Sequence, residues 1–531
     1  MTVLIVDALA ANEGRRKFSR DAIGVGSRLL AGICERNGNN TRIIRAEDTS
    51  EIVFCLKKEP IEAILISAMT VDKIATERVL KIIRKNKIKA NIFLGGPILS
   101  DIKILEDLDI SAGIRGEGEI ILQKLLDFDF HLDSLTEVQD SLIKITRIKD
   151  KFLIEQKSLS SSNVFEDFQP STSRIIDYTD YWFSKVYVEI TRGCSNYFRG
   201  SLVKNYGNCS DCGNCEDPDT IITDDCPENI PPGCGFCSVP STFGPPRSKS
   251  VDLVVKEVKE LLNLGVRRII LSSPGFFDYF RSKGEESVYS PTQPPANLDK
   301  IEELLSKLSK IRDSYDQICS ISIENVKPSL VTSRGAELIG KYLPGTAISI
   351  GCETFDNNHS IAIGRPSSSD KALEAAKLFK RENIDPQIYL IHSLPGETVA
   401  SLNVTRKIVV RKLKDYAEKI TVYKYLPLPN SPFTITNTPL PPDRHLLNQV
   451  RELLKEEIVN FNREKKKELL GKEIPVIVAE KDINFEDHYI SYPIFSGPAV
   501  SIHSTENIIG KTVQAKITNV LSDRLVKARI I

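Results

Sequence analysis

Seven of the chain's eleven cysteines fall between Glu189 and Arg247, and any fold for this sequence has to account for them. They are Cys194, Cys209, Cys212, Cys215, Cys226, Cys234 and Cys237. The stretch opens on EITRGCSNYF and closes on PPGCGFCSVPSTFGPPR. VYVEIT (186–191), β-branched and aromatic, reads as a strand, and Gly193 supplies a turn before the first thiol. Thiols spaced C-x-x-C-x-x-C and C-x-x-C on loops select soft metals or an iron–sulfur cluster. The competing reading is a disulfide-stapled loop. The N-terminal MTVLIVDALAANEG has no basic n-region, and Asp7 interrupts its apolar run, so it predicts a buried strand and not a signal peptide. A reducing compartment follows, and there close C-x-x-C pairs mean metal.

A chain of 531 residues is long enough for three or more domains. Its 71 basic and 71 acidic residues balance, so no overall field draws it to nucleic acid or to an acidic membrane. No run of 18 apolar residues appears, and the expectation is a cytoplasmic protein, peripheral to a membrane at most. Residues 1–125 alternate strand and helix: TVLIVDA, TRIIRAE, AILISAM and ANIFLGGP are separated by helices such as 26–37 and 72–85. That alternation predicts a doubly wound, Rossmann-like α/β domain whose ligands sit at the carboxyl ends of the strands, near Asp7, Ser67, Ala68, Gly95, Gly96 and Pro97. Residues 126–185, with the serine-rich SLSSSNVF, read as an irregular linker. From 186 to 435 alternation resumes with six strands, which predicts a partial (β/α)6 TIM-type barrel interrupted by a cysteine-rich insertion at 195–233. A charged helical connector, 436–470, follows the breaker PLPP. Its apolar stripe is Leu446, Val450, Leu453, Leu454, Ile458 and Phe461, and Lys465–Lys467 read as a solvated face. The tail, 471–531, alternates with period two and predicts a small β-barrel.

The TRGC…GCGFC frame resembles the radical S-adenosylmethionine (SAM) superfamily, in the branch with a cobalamin (B12)-binding-like N-terminal domain. The resemblance implies a 4Fe–4S cluster on Cys194, Cys234 and Cys237, with one iron free to chelate SAM. The family spaces its first two ligands by three residues, whereas 39 lie between Cys194 and Cys234 here. Loop-closure cost grows only logarithmically, which makes such an insertion tolerable, and Cys215 and Cys226 stand as alternates for one ligand. Cys209, Cys212, Cys215 and Cys226 suit either a second 4Fe–4S cluster or a zinc knot.

The same resemblance implies SAM contacts from Phe236, from Ser273, Pro274 and Gly275 after the second barrel strand, from Glu324 after the third, and from Glu353 and Arg365 around the fourth. His392, near the end of the fifth, is its candidate acid–base or relay residue, set against a satisfied core histidine. LISAMT, FLGGP and IRGEGE resemble the cobalamin domain, but D-x-H-x-x-G, whose histidine would ligate cobalt, is missing. Cobalamin binding therefore stays open. The tail resembles the TRAM domain of RNA-modifying enzymes, with Lys472, Lys511, Lys516, Arg524, Tyr489 and Tyr492 as its candidate RNA contacts.

In architecture the chain is similar to archaeal tetraether lipid ring synthases, and this implies hydrogen abstraction from an unactivated carbon with closure of a cyclopentane ring. RNA modification and cobalamin-dependent C-methylation are the alternatives. Methylthiotransferases carry three cluster cysteines in their N-terminal domain, whereas this one has only Cys34 and Cys55. A ferredoxin- or flavodoxin-type electron donor is implied throughout, with lipid or RNA as substrate.

Overall fold

The structure is a computed structural model, and it describes all residues except 14–20, 138–141, 158–163, 217–224, 283–285, 437–440, 442 and 484. Most of the serine-rich run and most of PLPP therefore lie outside the described residues. The chain forms two compact units, 1–188 with 252–266, and 189–251 with 267–531.

The first unit is built on a seven-stranded sheet. Its order is Asn40–Arg45, Thr2–Asp7, Ala63–Ser67, Asn91–Gly95, Ala112–Arg115, Lys151–Gln156, Ile143–Ile148. All neighbours are parallel except the last pair, an antiparallel edge hairpin. Leu4, Val6, Ile64, Ile66 and Leu94 fill the core beneath it, which explains the unbroken apolar runs in those strands. The hairpin corrects the reading of 126–185 as an irregular linker. Its strands, IKITRI and KFLIEQ, interleave charge with apolar residues as an edge needs, and this hides the strand signal.

At the carboxyl ends of this sheet the polar groups hold loops together. Asp72 accepts N–H bonds from Ala10, Asn12 and Met69 at 3.2, 2.8 and 2.9 Å. Asp7 accepts from Tyr178 Oη at 2.8 Å. Gly96 is required by backbone packing, since a Cβ there would stand 2.6 Å from the Ala68 carbonyl at φ +98°.

In the second unit Arg268–Ser272 pairs in parallel with Ser320–Ile323. Asn325–Val326, Ala347–Glu353, Asp385–His392 and Lys419–Lys424 form a parallel sheet in that order. Helices Leu298–Asp313, Ser333–Tyr342, Asp370–Arg381 and Val399–Arg411 alternate with these strands. The remaining strand of the expected six, Lys185–Glu189, straddles the division between the units.

The predicted tail is a closed five-stranded barrel, ordered Glu473–Lys481, His488–Pro493, Ala499–His503, Leu525–Ile530, Thr512–Val520. It docks at the starting ends of the α/β strands. Ser320 Oγ donates to the Ile494 carbonyl at 2.5 Å, and the Arg268 guanidinium lies 5.6 Å from the Tyr492 ring centre.

Helix Arg444–Lys467 buries Val450, Leu454 and Ile458 as expected, together with Leu447, while Leu446 and Leu453 face out. Of its three basic residues at the end only Lys467 is solvated. Lys465 and Lys466 are each 5% exposed, because Asn462 pins this turn to the Ile420 backbone through both amide atoms.

Candidate active site

The insertion leaves and rejoins the fold at one point, which explains how 39 residues fit between two ligand candidates. Arg199 bridges Gly233 in parallel, and the Gly233 N–H donates to the Phe198 carbonyl at 3.2 Å. Two close approaches need glycine here. A Cβ on Gly200 would meet the Ala362 carbonyl at 2.3 Å, and one on Gly235 would meet Phe433 ring atoms at 2.4–2.6 Å. The loop begins just past the strand end at Ser272, whose carbonyl accepts the Ile190 N–H at 2.9 Å. It therefore sits at the carboxyl ends of the strands, the catalytic end in barrels of this kind.

Cys194, Cys234 and Cys237 converge within electrostatic reach of one another. Burial pushes the Cys237 thiol up to about 12, with Cys234 and then Cys194 adding to the rise. Burial raises Cys194 as well, while Lys327 pulls it back. Each sulfur accepts N–H donors. Asn196 gives its backbone N–H to Cys194 at 3.5 Å and its side-chain amide to Cys234 at 3.2 Å. Val239 N–H reaches Cys237 at 3.5 Å, Lys327 Nζ reaches Cys194 at 3.7 Å, and Arg365 Nη1 reaches Cys234 at 3.5 Å. Donors arrayed on three sulfurs suit thiolates and satisfy the outer sphere that a cluster needs. Among the described residues no group of His, Cys, Asp or Glu closes tightly enough for a single metal ion. The donor set fits a 4Fe–4S cluster.

Around the thiols lie residues that sequence reasoning had named and others that it missed. Glu353 is buried in a left-handed conformation at φ 67°, with Arg365 3.6 Å away. Burial pushes the Glu353 carboxyl up, and Arg365 opposes this. Arg365 also donates to the Gly351 carbonyl at 2.6 Å, and a Cβ on Gly351 would stand 2.9 Å from Glu353 Oε1 and 3.3 Å from Arg365 Nη2. Glu324 is raised by burial and accepts Ser272 Oγ at 2.7 Å. Ser273 Oγ is turned inward to cap the Gly275 N–H at 3.1 Å, and Pro274 is exposed. Phe236 packs on the apolar cluster of Val203, Ile230, Ile363, Leu394 and Phe433. Cys352 is a core thiol donating to the Thr354 carbonyl.

The missed residues are Asn196, Ser195, Asp278, Arg281 and Lys327. Asp278 and Arg281 sit three apart in FFDYFR, and Lys327 follows a strand end in ENVKP. Both patterns were visible, but neither resembles a binding signal before the fold joins them.

His392 is a correction. Ile388, Leu390 and His392 share the buried face of their strand, while Ile391 on the other face packs, as Phe236 does, on the Val203 cluster. His392 instead bonds Ser393 Oγ at 2.9 Å and feels Arg451 and Lys455 of the long helix. Burial and those cations push its imidazole down to about 4, so it is neutral near pH 7 and turned from the thiols.

In the insertion, Cys215 accepts from buried Arg199 at 3.6 Å, Cys209 and Cys226 pack on the Val203 cluster, and Cys212 is exposed. Of the candidate RNA contacts, Tyr489 lies in the barrel core, and Tyr492, on the opposite face of the same strand, packs against the Arg268 guanidinium. Cys34 and Cys55 are buried on helices Gly26–Arg36 and Thr49–Lys58, and burial pushes the Cys34 thiol up to about 12.

The site thus has the thiols, the strand-end placement and the polar surround of a SAM-dependent radical enzyme. The Radical SAM superfamily model matches residues 220–408. The chain is 37% identical to protein MJ1620 of Methanocaldococcus jannaschii over 522 residues, 97% of this chain and 96% of that one. It belongs to that protein's family and is a radical SAM enzyme. It is also 25% identical over 450 residues to a putative methylthiotransferase, MJ0865, of the same organism, 82% of each chain. Among solved structures its fold is similar to that of the radical SAM methyltransferase TsrM from Kitasatospora setae with cobalamin and a [4Fe-4S] cluster bound. That match has a TM-score of 0.57 and 13% identity over 81% of this chain and 76% of that one.

Proposed function

We propose that Cys194, Cys234 and Cys237 hold a 4Fe–4S cluster and that the enzyme abstracts hydrogen from an unactivated carbon of an apolar chain. The observation that carries this reading is the convergence of three thiols beneath five N–H donors at one strand-end site. Bound there, a cluster would supply the one-electron reduction of SAM, drawn from a ferredoxin- or flavodoxin-type donor, that releases methionine and a 5′-deoxyadenosyl radical. The chain's own residues bind and orient. Glu353 and Glu324 offer carboxylate acceptors for the amino and ribose groups of SAM. Arg365 neutralises both Glu353 and Cys234. Phe236 and its apolar neighbours exclude water.

The substrate class rests on the lip beside the thiols. Phe433 donates its N–H to the Gly235 carbonyl at 2.8 Å, and Leu426, Leu428 and Ile435 in the same segment are exposed. An apolar lip suits a hydrocarbon, and we favour archaeal tetraether lipid, with two carbons joined into a cyclopentane ring, at a peripheral membrane site. Methylthio transfer, suggested by MJ0865, lacks N-terminal cluster thiols. Cobalamin-dependent methylation is the second reading, favoured by the doubly wound first unit. A second cluster or a zinc on Cys209, Cys212, Cys215 and Cys226 remains part of the proposal.

The test is anaerobic reconstitution followed by metal analysis and detection of 5′-deoxyadenosine. Wild type should hold at least about four irons per chain. Cys194→Ala, Cys234→Ala and Cys237→Ala should each abolish SAM cleavage, whereas Cys209→Ala should keep some. Full cleavage by Cys234→Ala would sink the ligand set. Loss of ringed lipids on gene deletion supports the lipid, and co-purifying cobalamin supports methylation.

A further inference from the structure

Lys327 is a buried cation with no room for a ligand of its own. Its ammonium pairs with Asp278, lies 2.6 Å from Ser195 Oγ and 3.7 Å from Cys194 Sγ. Those three partners match its three N–H donors. Gly275 makes the position accessible, since a Cβ there would stand 2.8 Å from Lys327 Cε. Asp278 is shared with Arg281 at 2.6 Å, and neither of those side chains is exposed. Ser195 ties the set together, donating to Asp278 Oδ1 at 2.9 Å and accepting from Arg281 Nη1 at 2.9 Å. Two cations therefore share one carboxylate and leave a net positive charge inside the protein. A buried charge needs a partner, and the group against it is the Cys194 sulfur.

We infer that Lys327, clamped by Asp278 and Ser195, is a positioning residue that fixes a positive charge on Cys194 and raises the reduction potential of the cluster bound there. This rests on the proposed ligand set. A cation favours the more negative, reduced state of a thiolate-ligated cluster, and an N–H donor to the sulfur acts in the same direction. The carboxylate of Asp278 offsets part of that effect, so removing it must shift the potential the opposite way. A purely structural clamp would not give shifts of opposite sign.

The experiment is an EPR-monitored redox titration of anaerobically reconstituted wild type, Lys327→Met and Asp278→Asn, each with iron per chain measured. At a fixed potential the ratio of reduced to oxidised cluster should fall on the order of tenfold in Lys327→Met, about 59 mV for a one-electron couple. It should rise in Asp278→Asn. If Lys327→Met does not fold, the upward shift in Asp278→Asn carries the test alone. Unchanged midpoints at equal iron content overturn the inference and leave the ligand set standing. Wild type without iron overturns both.

Discussion

At the scale of single residues, the site depends on glycines where other atoms come too close. Gly235 lies between two of the proposed ligands with the Phe433 ring over it. Gly235→Ala must displace either the ring or the loop, and we expect a loss of about 1–3 kcal/mol in chemical denaturation together with reduced iron uptake. Pairing it with Phe433→Leu should restore part of both, and strict additivity of the two changes would refute the contact. Gly351→Ala should act on the Glu353–Arg365 pair, since its Cβ would stand 2.9 Å from Glu353 Oε1 and 3.3 Å from Arg365 Nη2, and should weaken SAM binding more than folding. The glycines and cysteines could be named from the sequence. The cations could not, because Lys327 is 133 residues from Cys194 along the chain and the pair exists only after folding.

At the scale of elements, strand alternation decides what each side chain can do. It turns His392 to the helix side and Ile391 to the thiol side. The folded His392 imidazole sits at about 4, below the ordinary 6.5. The unfolded chain therefore binds the extra proton first. Stability is full above about pH 6.5 and falls as pH drops toward 4, by about 1–3 kcal/mol for this half-buried group. His359, also pushed down by burial, adds a loss of the same sign. His392→Gln should flatten the melting temperature between pH 7 and 4.5, with little effect on SAM cleavage at pH 7. A large loss of cleavage would return His392 to the chemistry. The same alternation buries Tyr489 in the small barrel, while Tyr492, on the other face of that strand, is covered by Arg268, and neither is offered as a free RNA-stacking ring.

At the scale of the second unit, the small barrel and the thiols occupy opposite ends of the α/β strands. Arg268 and Ser320, which hold the barrel, begin their strands, whereas the cysteine loop lies beside the strand end at Ser272. The barrel acts as a base to this unit and does not form a wall of the site. Tyr492→Ala should cost about 1–2 kcal/mol through its partly buried cation–π contact with Arg268 and lower one shared transition for barrel and α/β portion. Calorimetry resolving two separate transitions would contradict that coupling.

The alternation of strands and helices and the tail barrel were legible because each depends on local periodicity, and the cysteines could be named as candidate ligands from their chemistry alone. The hairpin at 143–156 was not, since an edge strand mixes charge into its pattern and reads as a loop. Nor was the burial of Lys465 and Lys466, which the docking of the helix end at Ile420 decides. The sequence by itself determined which atoms can ligate and where turns must fall. Only the tertiary structure decided that a 39-residue excursion closes on itself, that His392 faces away, and that Asp278 and Ser195 hold Lys327 against Cys194. Each of these depends on contacts between residues far apart in the chain, and local propensity has no bearing on such contacts.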